Sequence, residues 1–308
     1  MTHPPKKSKP ADPSLSSEQA ASVGFSDWLT DRMARSVLGL ALALPYRFRP
    51  GFVGGFIRLI LGPIAGYQKR ALSNLSYIFP DMSPAEQRRI AKAAMDNAGR
   101  TLIENYSTTD LAAQMAQMQV TGPGLDAIKT AKEQGQGVIF VTGHYGNYEA
   151  PRHALHHLGY KVGGLYRPMA NVLFNQHYVR TMESVSGPIF EQGRRGTMGF
   201  ARHIKSGGMA VLLFDLFDWR GKWVDFMGRP SKTALSAAEL ALKFNAIVVP
   251  YFGIRTETGF QIVIEAPIDH SDAQTMTQDM SHRLEQHIRN DPGQWMWFHR
   301  RWKEKKPH

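Results

Sequence analysis

Short, mostly apolar runs alternate with amphipathic stretches along most of the chain beyond residue 80. The apolar runs are typical of strands buried in a sheet, and they lie at 137–143, 161–166, 210–215, 246–252 and 260–265. The stretches around them predict helices at about 124–134, 150–158, 171–185, 197–206, 233–245 and 272–290. This alternation predicts an α/β fold with a central, mostly parallel or mixed sheet flanked by helices.

A further helix is predicted from Ser83 onward. The segment 83–86 reads Ser-Pro-Ala-Glu, which has the pattern of a capping box with Pro at the first helical position. One face of this helix is expected to carry Ile90, Ala94, Ala98, Leu102 and Tyr106.

The amino-terminal part has a different character. Residues 1–22 are rich in Pro, Lys and Ser, which predicts a disordered tail. Residues 23–80 predict a helical hairpin, and its apolar runs at 36–45 and 52–61 are shorter than the roughly 18 residues of a spanning helix. Seven Lys or Arg and only two Asp are interleaved with the apolar residues of 23–80. This favours a segment lying in an anionic bilayer interface, with a core-packed hairpin as the alternative.

The overall charge supports an anionic partner. Lys and Arg total 37 against 26 Asp and Glu, a formal net charge of +11. The chain has no Cys, which excludes disulfides, thiolate metal sites and a Cys nucleophile.

The segment 143–149, which reads Gly-His-Tyr-Gly-Asn-Tyr-Glu, follows the first predicted buried strand directly. Ligands of open α/β sheets bind at this edge. On one continuous helix His144 and Glu149 would point about 140° apart, but a strand–turn–helix path lets their side chains approach. A carboxylate on one imidazole nitrogen makes the other a better base, so His144 and Glu149 are candidate catalytic residues. A surface histidine in an ordinary loop is the alternative.

Other catalytic schemes find no support in the sequence. It has no Gly-x-Ser-x-Gly elbow, no phosphate-binding Gly-x4-Gly-Lys-Ser/Thr and no His-Glu-x2-His. His153, His156 and His157 share a predicted helix without a nearby carboxylate, so no metal site is expected.

The segment 144–149 resembles the His-x4-Asp/Glu signature of glycerolipid and lipid A acyltransferases. Residues 166–171 (Tyr-Arg-Pro-Met-Ala-Asn) resemble a second block of the late acyltransferases of lipid A biosynthesis. Residues 294–303 and 74–80 resemble their carboxy-terminal block and amino-terminal region. The resemblance spans about residues 25–303, so residues 81–308 are expected to be the acyltransferase α/β domain and 23–80 its membrane-associating segment.

The resemblance implies transfer of an acyl chain from acyl carrier protein to a lipid hydroxyl, at the cytoplasmic face of the inner membrane and without a cofactor. It places the catalytic dyad at His144 and Glu149, and Arg167 at a position that binds acceptor phosphates or steadies the reaction's charge. A structural ion pair is the alternative for Arg167. The full set of expected substrate-binding residues is Asn147, Arg167, Asn171, Arg194 and Asp215.

One motif departs from the resemblance. The chain has Asp215-Leu-Phe-Asp218 where relatives usually have Asp-Gln or Asp-His-Asp, which puts the role of Asp215 and the acceptor's identity in doubt. Near the carboxy terminus, tryptophans 295, 297 and 302 are expected to pack rather than to stack on substrate. A basic cluster there is expected to face the membrane or the carrier, and it comprises Arg300, Arg301, Lys303, Lys305 and Lys306.

In the favoured mechanism, His144 deprotonates the acceptor hydroxyl and an apolar pocket holds the acyl chain. The sequence leaves open another lyso-lipid, such as an aminolipid or a lysophospholipid, as acceptor. A non-catalytic binder of membranes or nucleic acid is the alternative from another class. Nucleic acid is not an expected partner, since no recognition motif of a known type is present.

Overall fold

The computed structural model describes residues 24–303. The expected tail at 1–22 and two lysines of the carboxy-terminal cluster, Lys305 and Lys306, lie outside the described residues.

A seven-stranded sheet with the order β1-β9-β8-β2-β5-β3-β4 forms the centre of the structure, beside a two-stranded sheet of β6 and β7. The strands are β1 Val120–Thr121, β2 Val138–Thr142, β3 Val162–Tyr166, β4 Ile189–Glu191, β5 Met209–Leu213, β6 Lys222–Phe226, β7 Arg229–Thr233, β8 Ile247–Arg255 and β9 Phe260–Ile264. Strands β8, β2, β5, β3 and β4 run parallel to one another, and only the β8–β9 pair of the large sheet is antiparallel. The predicted mostly parallel or mixed sheet is therefore confirmed.

Helices cover both faces of the large sheet and form the amino-terminal part. They are α1 Phe25–Ala43, α2 Arg49–Phe56, α3 Gly62–Ile64, α4 Tyr67–Ile78, α5 Pro84–Tyr106, α6 Thr108–Met115, α7 Gly124–Glu133, α8 Ala150–His157, α9 Val172–Glu183, α10 Arg194–Lys205, α11 Ser236–Phe244 and α12 Ala273–Asn290. Every helix predicted from the apolar pattern is present, with ends that differ by at most a few residues.

Helix α5 begins as its sequence predicts, because the backbone N–H of Glu86 donates to Ser83 Oγ at 3.2 Å. Its buried face differs from the prediction in one place: Leu102 is 47% exposed, whereas Ile90 and Ala94 are buried. The expected face advanced by four residues at each step, and each step of four rotates the side chain about 40° further around a helix of 3.6 residues per turn. After three steps from Ile90, position 102 has therefore left the side that faces the main core, whereas Tyr106, one step further, is buried against Phe174 and His177 of α9.

Large apolar side chains are unusually exposed between residues 25 and 64. We call this surface the apolar band, and it comprises Phe25, Trp28, Leu29, Met33, Val37, Leu40, Phe48, Phe52, Phe56, Leu59, Ile60, Leu61 and Ile64. Within residues 24–303 no single helix meets the length and hydropathy of a membrane span, although the bent pair Tyr46–Ile64 and Tyr67–Ile78, at 87°, meets them together.

Candidate active site

The site forms where two adjacent parallel strands end. Strand β2 ends at Thr142 and its neighbour β5 ends at Leu213, so the turns that follow them meet at the carboxyl edge of the sheet. His144 Nδ1 lies 2.8 Å from Asp215 Oδ1, and the backbone N–H of His144 donates to Asp215 Oδ2 at 2.7 Å. The indole N–H of Trp295 donates to the same Oδ2 at 2.9 Å. Asp215 is thereby bonded on both oxygens.

The charge on Asp215 fixes the tautomer of His144. Burial raises the pKa of the Asp215 carboxyl, but the neighbouring His144 charge and hydrogen bonds from His144 and Trp295 outweigh it and lower the pKa to about 2. An ionised carboxylate only accepts hydrogen bonds, so the proton of a neutral His144 ring lies on Nδ1. Nε2 is then left with its lone pair, as a general base requires.

Glu149 has a different partner from the one expected. Its Oε2 lies 3.1 Å from Arg152 Nη1, and among residues 24–303 the structure contains no hydrogen bond between Glu149 and His144. The expected approach of these two side chains is corrected in this respect. Arg152 is buried and its other donors reach backbone carbonyls of Val162, Met182 and Ser186. Glu149 thus supplies the carboxylate that the buried Arg152 cation contacts. The catalytic role of Glu149 stays a prediction.

Asn147 is fully buried, so its side chain has no surface to offer a substrate. Its Oδ1 accepts the backbone N–H groups of Glu149 and Ala150, at the start of α8, while its Nδ2 donates to Glu104 Oε2 at 2.9 Å. The Asn147 amide thus begins a helix and ties the turn to α5, and its expected role in substrate binding stays a prediction.

Arg167 and Arg194 lie at the same edge of the sheet as His144. Arg167 follows β3, the strand beside β5, and Arg194 begins α10 after β4, one strand further. Both side chains are exposed, and among residues 24–303 neither has an ion-pair partner. The alternative of a structural ion pair for Arg167 finds no support in these contacts.

Asn171 uses its side chain within the fold. Its Oδ1 accepts the backbone N–H of Phe174 at 3.0 Å and so caps α9, and its Nδ2 donates to the carbonyl of Asp27 at 2.8 Å. The side chain thus links α9 to the first helix, α1, and its expected substrate-binding role stays a prediction.

The carboxy-terminal block packs around the Asp215 turn. Trp295 and Trp297 are buried, with ring centroids 4.8 Å apart at an interplanar angle of 89°, as expected for packing tryptophans. Arg301 is fully buried and donates to the carbonyl of Leu216 and to Thr233 Oγ1, both at 2.7 Å. The expectation of a surface basic cluster is therefore wrong for Arg301.

Two of the sequence blocks that carried the resemblance meet here. Asn74 Nδ2 donates to the carbonyl of Trp297 at 2.6 Å and to that of His299 at 2.7 Å. Burial lowers the pKa of His299 to about 4, so its ring is neutral near pH 7. Within the part of the chain that the structure describes, no group of three or more His, Asp or Glu side chains is placed to hold a metal ion.

The sequence pattern of a family described as bacterial lipid A biosynthesis acyltransferase matches residues 24–304, which is most of the chain. The chain belongs to the bacterial lipid A biosynthesis acyltransferase family. It is thus an acyltransferase, and the resemblance of the four sequence blocks is confirmed.

Curated relatives agree with membership of this lipid A biosynthesis acyltransferase family. A lipid A biosynthesis acyltransferase of Haemophilus influenzae is 27% identical over 90% of this chain and 89% of its own length. The lipid A biosynthesis myristoyltransferase of Escherichia coli is 24% identical over 88% of this chain and 86% of its own length. The lauroyltransferase of the same organism is 25% identical, over 90% and 92%. Relatives named for two chain lengths are equally similar, so identity does not select one.

Two parts of this acyltransferase's site were not found from the sequence. Asp215 was expected to bind substrate, but it contacts His144, from which it is separated by 71 residues. Glu104 and Arg255 received no assignment, although both are tied to the turn that carries His144. The sequence signals for Asp215 were its position at the end of a predicted strand and its resemblance to a polar position of the family.

Proposed function

We propose that this protein transfers an acyl chain from an acyl thioester to a hydroxyl of a lipid A precursor, with His144 as the general base. The contact that supports this most is Asp215 Oδ1 to His144 Nδ1 at 2.8 Å, next to a carboxylate whose pKa is lowered to about 2. Asp215 orients the ring and stabilises the imidazolium that forms when Nε2 takes the hydroxyl proton. Glu149 is the alternative orienting group.

A thioester carbonyl is already activated, so direct attack by the acceptor oxygen needs no covalent enzyme intermediate. The hydroxyl oxygen bonds to the carbonyl carbon while its proton passes to His144 Nε2. The C–S bond then breaks, and the sulfur takes that proton from Nε2 and leaves as a thiol. Negative charge on the carbonyl oxygen in the tetrahedral state requires hydrogen-bond donors. Arg167, exposed at this edge of the sheet, is a candidate donor for this charge or for the acceptor's phosphates.

The acyl donor we propose is acyl carrier protein, an acidic partner that suits a chain of net charge +11. The test is turnover of purified protein with acyl carrier protein or coenzyme A thioesters and a panel of lipid acceptors, followed by mass spectrometry. Mass gain by one acyl chain on the lipid A precursor supports the proposal. Acylation only of a lyso-aminolipid or a lysophospholipid would name a different acceptor.

Arg167→Lys is expected to lower kcat/KM with the lipid A precursor by about tenfold or more, because the planar guanidinium binds an anion through two donors at once and an ammonium does not. Steady-state kinetics of both proteins measure this. Arg202→Lys is the matched control, since Arg202 is exposed in the last turn of α10. Full activity of Arg167→Lys would leave Arg167 without a specific role in anion recognition.

We propose that the protein associates with the cytoplasmic leaflet of the inner membrane, where it draws the acceptor lipid from the bilayer; the apolar band supports binding to a membrane surface. Leu40 and Val37 are 74% and 61% exposed on α1. The double variant Val37→Glu, Leu40→Glu is expected to bind anionic vesicles at least about tenfold more weakly, since each apolar side chain contributes about 1.5–3 kcal/mol when fully buried. Sedimentation with vesicles measures the binding.

Leu158→Glu is the control for the membrane experiment, because Leu158 is 49% exposed but lies outside the apolar band. Raised salt is expected to weaken wild-type binding by screening without releasing the protein completely. Vesicle binding by the double variant equal to that of the control would show that the apolar band is not the membrane-binding surface.

A further inference from the structure

The turn between β2 and α8, residues 143–149, has at Gly146 a left-handed backbone conformation with no room for a side chain. Its φ is +55°, and a Cβ built there would lie 2.1 Å from the carbonyl oxygen of Gly253 in β8. The next residue, Asn147, donates its backbone N–H to that same carbonyl at 2.8 Å. The turn that carries His144 therefore runs in direct contact with the strand β8.

Helix α5 holds the same turn from another side. The carbonyl of Gly146 accepts hydrogen bonds from Asn97 Nδ2 at 3.0 Å and from Thr101 Oγ1 at 2.8 Å. Its N–H donates to the carbonyl of Gln294 at 3.1 Å. The peptide groups on both sides of Gly146 thus have bonded partners on separate elements of the fold.

An ion pair between Glu104 and Arg255 lies behind these contacts. Arg255 Nη1 donates to Glu104 Oε1 at 2.6 Å and Nη2 donates to Glu104 Oε2 at 2.8 Å, a two-pronged geometry. The side chain of Glu104 is only 3% exposed and that of Arg255 17%. Buried ion pairs are weak contributors to stability compared with apolar packing, so the geometry that this pair imposes is the more informative property.

The pair determines which way two side-chain amides point. Arg255 Nε donates to Asn97 Oδ1 at 2.9 Å, which leaves Asn97 Nδ2 to face the carbonyl of Gly146. Glu104 Oε2 accepts from Asn147 Nδ2, which leaves Asn147 Oδ1 to face the first N–H groups of α8. An amide has similar shape in both flipped orientations, so a charged neighbour is what distinguishes them.

We propose that Glu104 and Arg255 are positioning residues for acyl transfer. Neither contacts His144; they fix the Asn97 and Asn147 amides, these amides fix the turn, and the turn keeps the His144 ring on Asp215. The inference rests on the proposed function of His144. A displacement of about 1 Å at a catalytic group is enough to lower turnover about a hundredfold.

The test uses full-length protein with the variants Glu104→Gln and Arg255→Lys. Each is expected to lower kcat about 10- to 100-fold while KM for both substrates changes less than about twofold. In histidine-labelled protein, the Nδ1–H proton of His144, assigned by its loss in His144→Ala, is expected to shift or broaden in both variants. Arg255→Lys is the conservative change if Glu104→Gln does not fold.

Asp96→Asn is the matched control, because Asp96 lies on the same helix and pairs with Arg100 at 2.5 Å without touching the turn. The inference is overturned if Glu104→Gln and Arg255→Lys lower the melting temperature but keep the kcat and His144 resonance of the control. Full activity of His144→Ala would overturn the proposed function instead, and the resonance would then decide alone whether the pair positions the ring.

Discussion

His144→Ala is expected to lower kcat by between about 10² and 10⁴-fold, the contribution of a positioned general base. In His144 the Nδ1 atom bonds to Asp215, so the Nε2 atom keeps its lone pair and can accept a proton. Turnover of an acyl thioester with the lipid A precursor, followed by mass spectrometry of the product, measures the loss.

The melting temperature of His144→Ala is expected to fall by at most a few degrees, because the ring is 22% exposed and the buried Asp215 carboxylate keeps its hydrogen bonds from the backbone N–H of residue 144 and from Trp295. His157→Ala is the control, since His157 is exposed at the end of α8, the helix that follows the turn of His144. Retention of wild-type turnover by His144→Ala would remove His144 from the mechanism.

Asp215→Asn is expected to lower kcat by at least about 10²-fold while the geometry of the site is kept. Asp215 Oδ2 accepts from two donors, the backbone N–H of His144 and the indole N–H of Trp295, so the amide oxygen of an asparagine will occupy that place. Its NH₂ group then faces His144 Nδ1, which has to become the acceptor. The ring proton moves to Nε2, the wrong tautomer for a base.

Glu149→Gln separates the two candidate orienting groups. The structure pairs Glu149 with Arg152, and glutamine keeps an oxygen that can accept from that guanidinium. If Asp215 orients the ring, Glu149→Gln is expected to keep kcat within about tenfold of the wild type. A loss as large as that of Asp215→Asn, measured in the same assay, would show that Glu149 contacts His144 during the reaction.

The sequence predicted the elements that local periodicity controls. Apolar runs gave the buried strands, and Ser83 with Glu86 gave the start of α5. The short edge strand β4, three residues long, and the β6–β7 pair carry too little pattern to be separated from loops. Strand order also was not accessible, because it depends on which strands pair across the sheet.

The site was predictable up to its long-range contacts. His144 follows a strong strand signal, so its placement at a sheet edge could be expected. Its contact with Asp215 joins residues that are 71 apart, and the pair of Glu104 and Arg255 joins residues that are 151 apart. Local spacing favoured Glu149 instead, because it could not show that Arg152, three residues further, is buried and has Glu149 as its carboxylate partner.

Helix α4 has a consequence for how the protein can be shortened. Its Ala71 and Leu75 are completely enclosed within the main core, and Asn74 holds the carbonyls of Trp297 and His299. Trp295, the donor to Asp215, belongs to that same stretch of chain. A shortened protein that lacks everything before residue 80 would therefore lose contacts that support the Asp215 carboxylate, together with the apolar band. Polar replacements of exposed apolar residues of α1, such as Val37 and Leu40, are the safer route to a crystallisable enzyme.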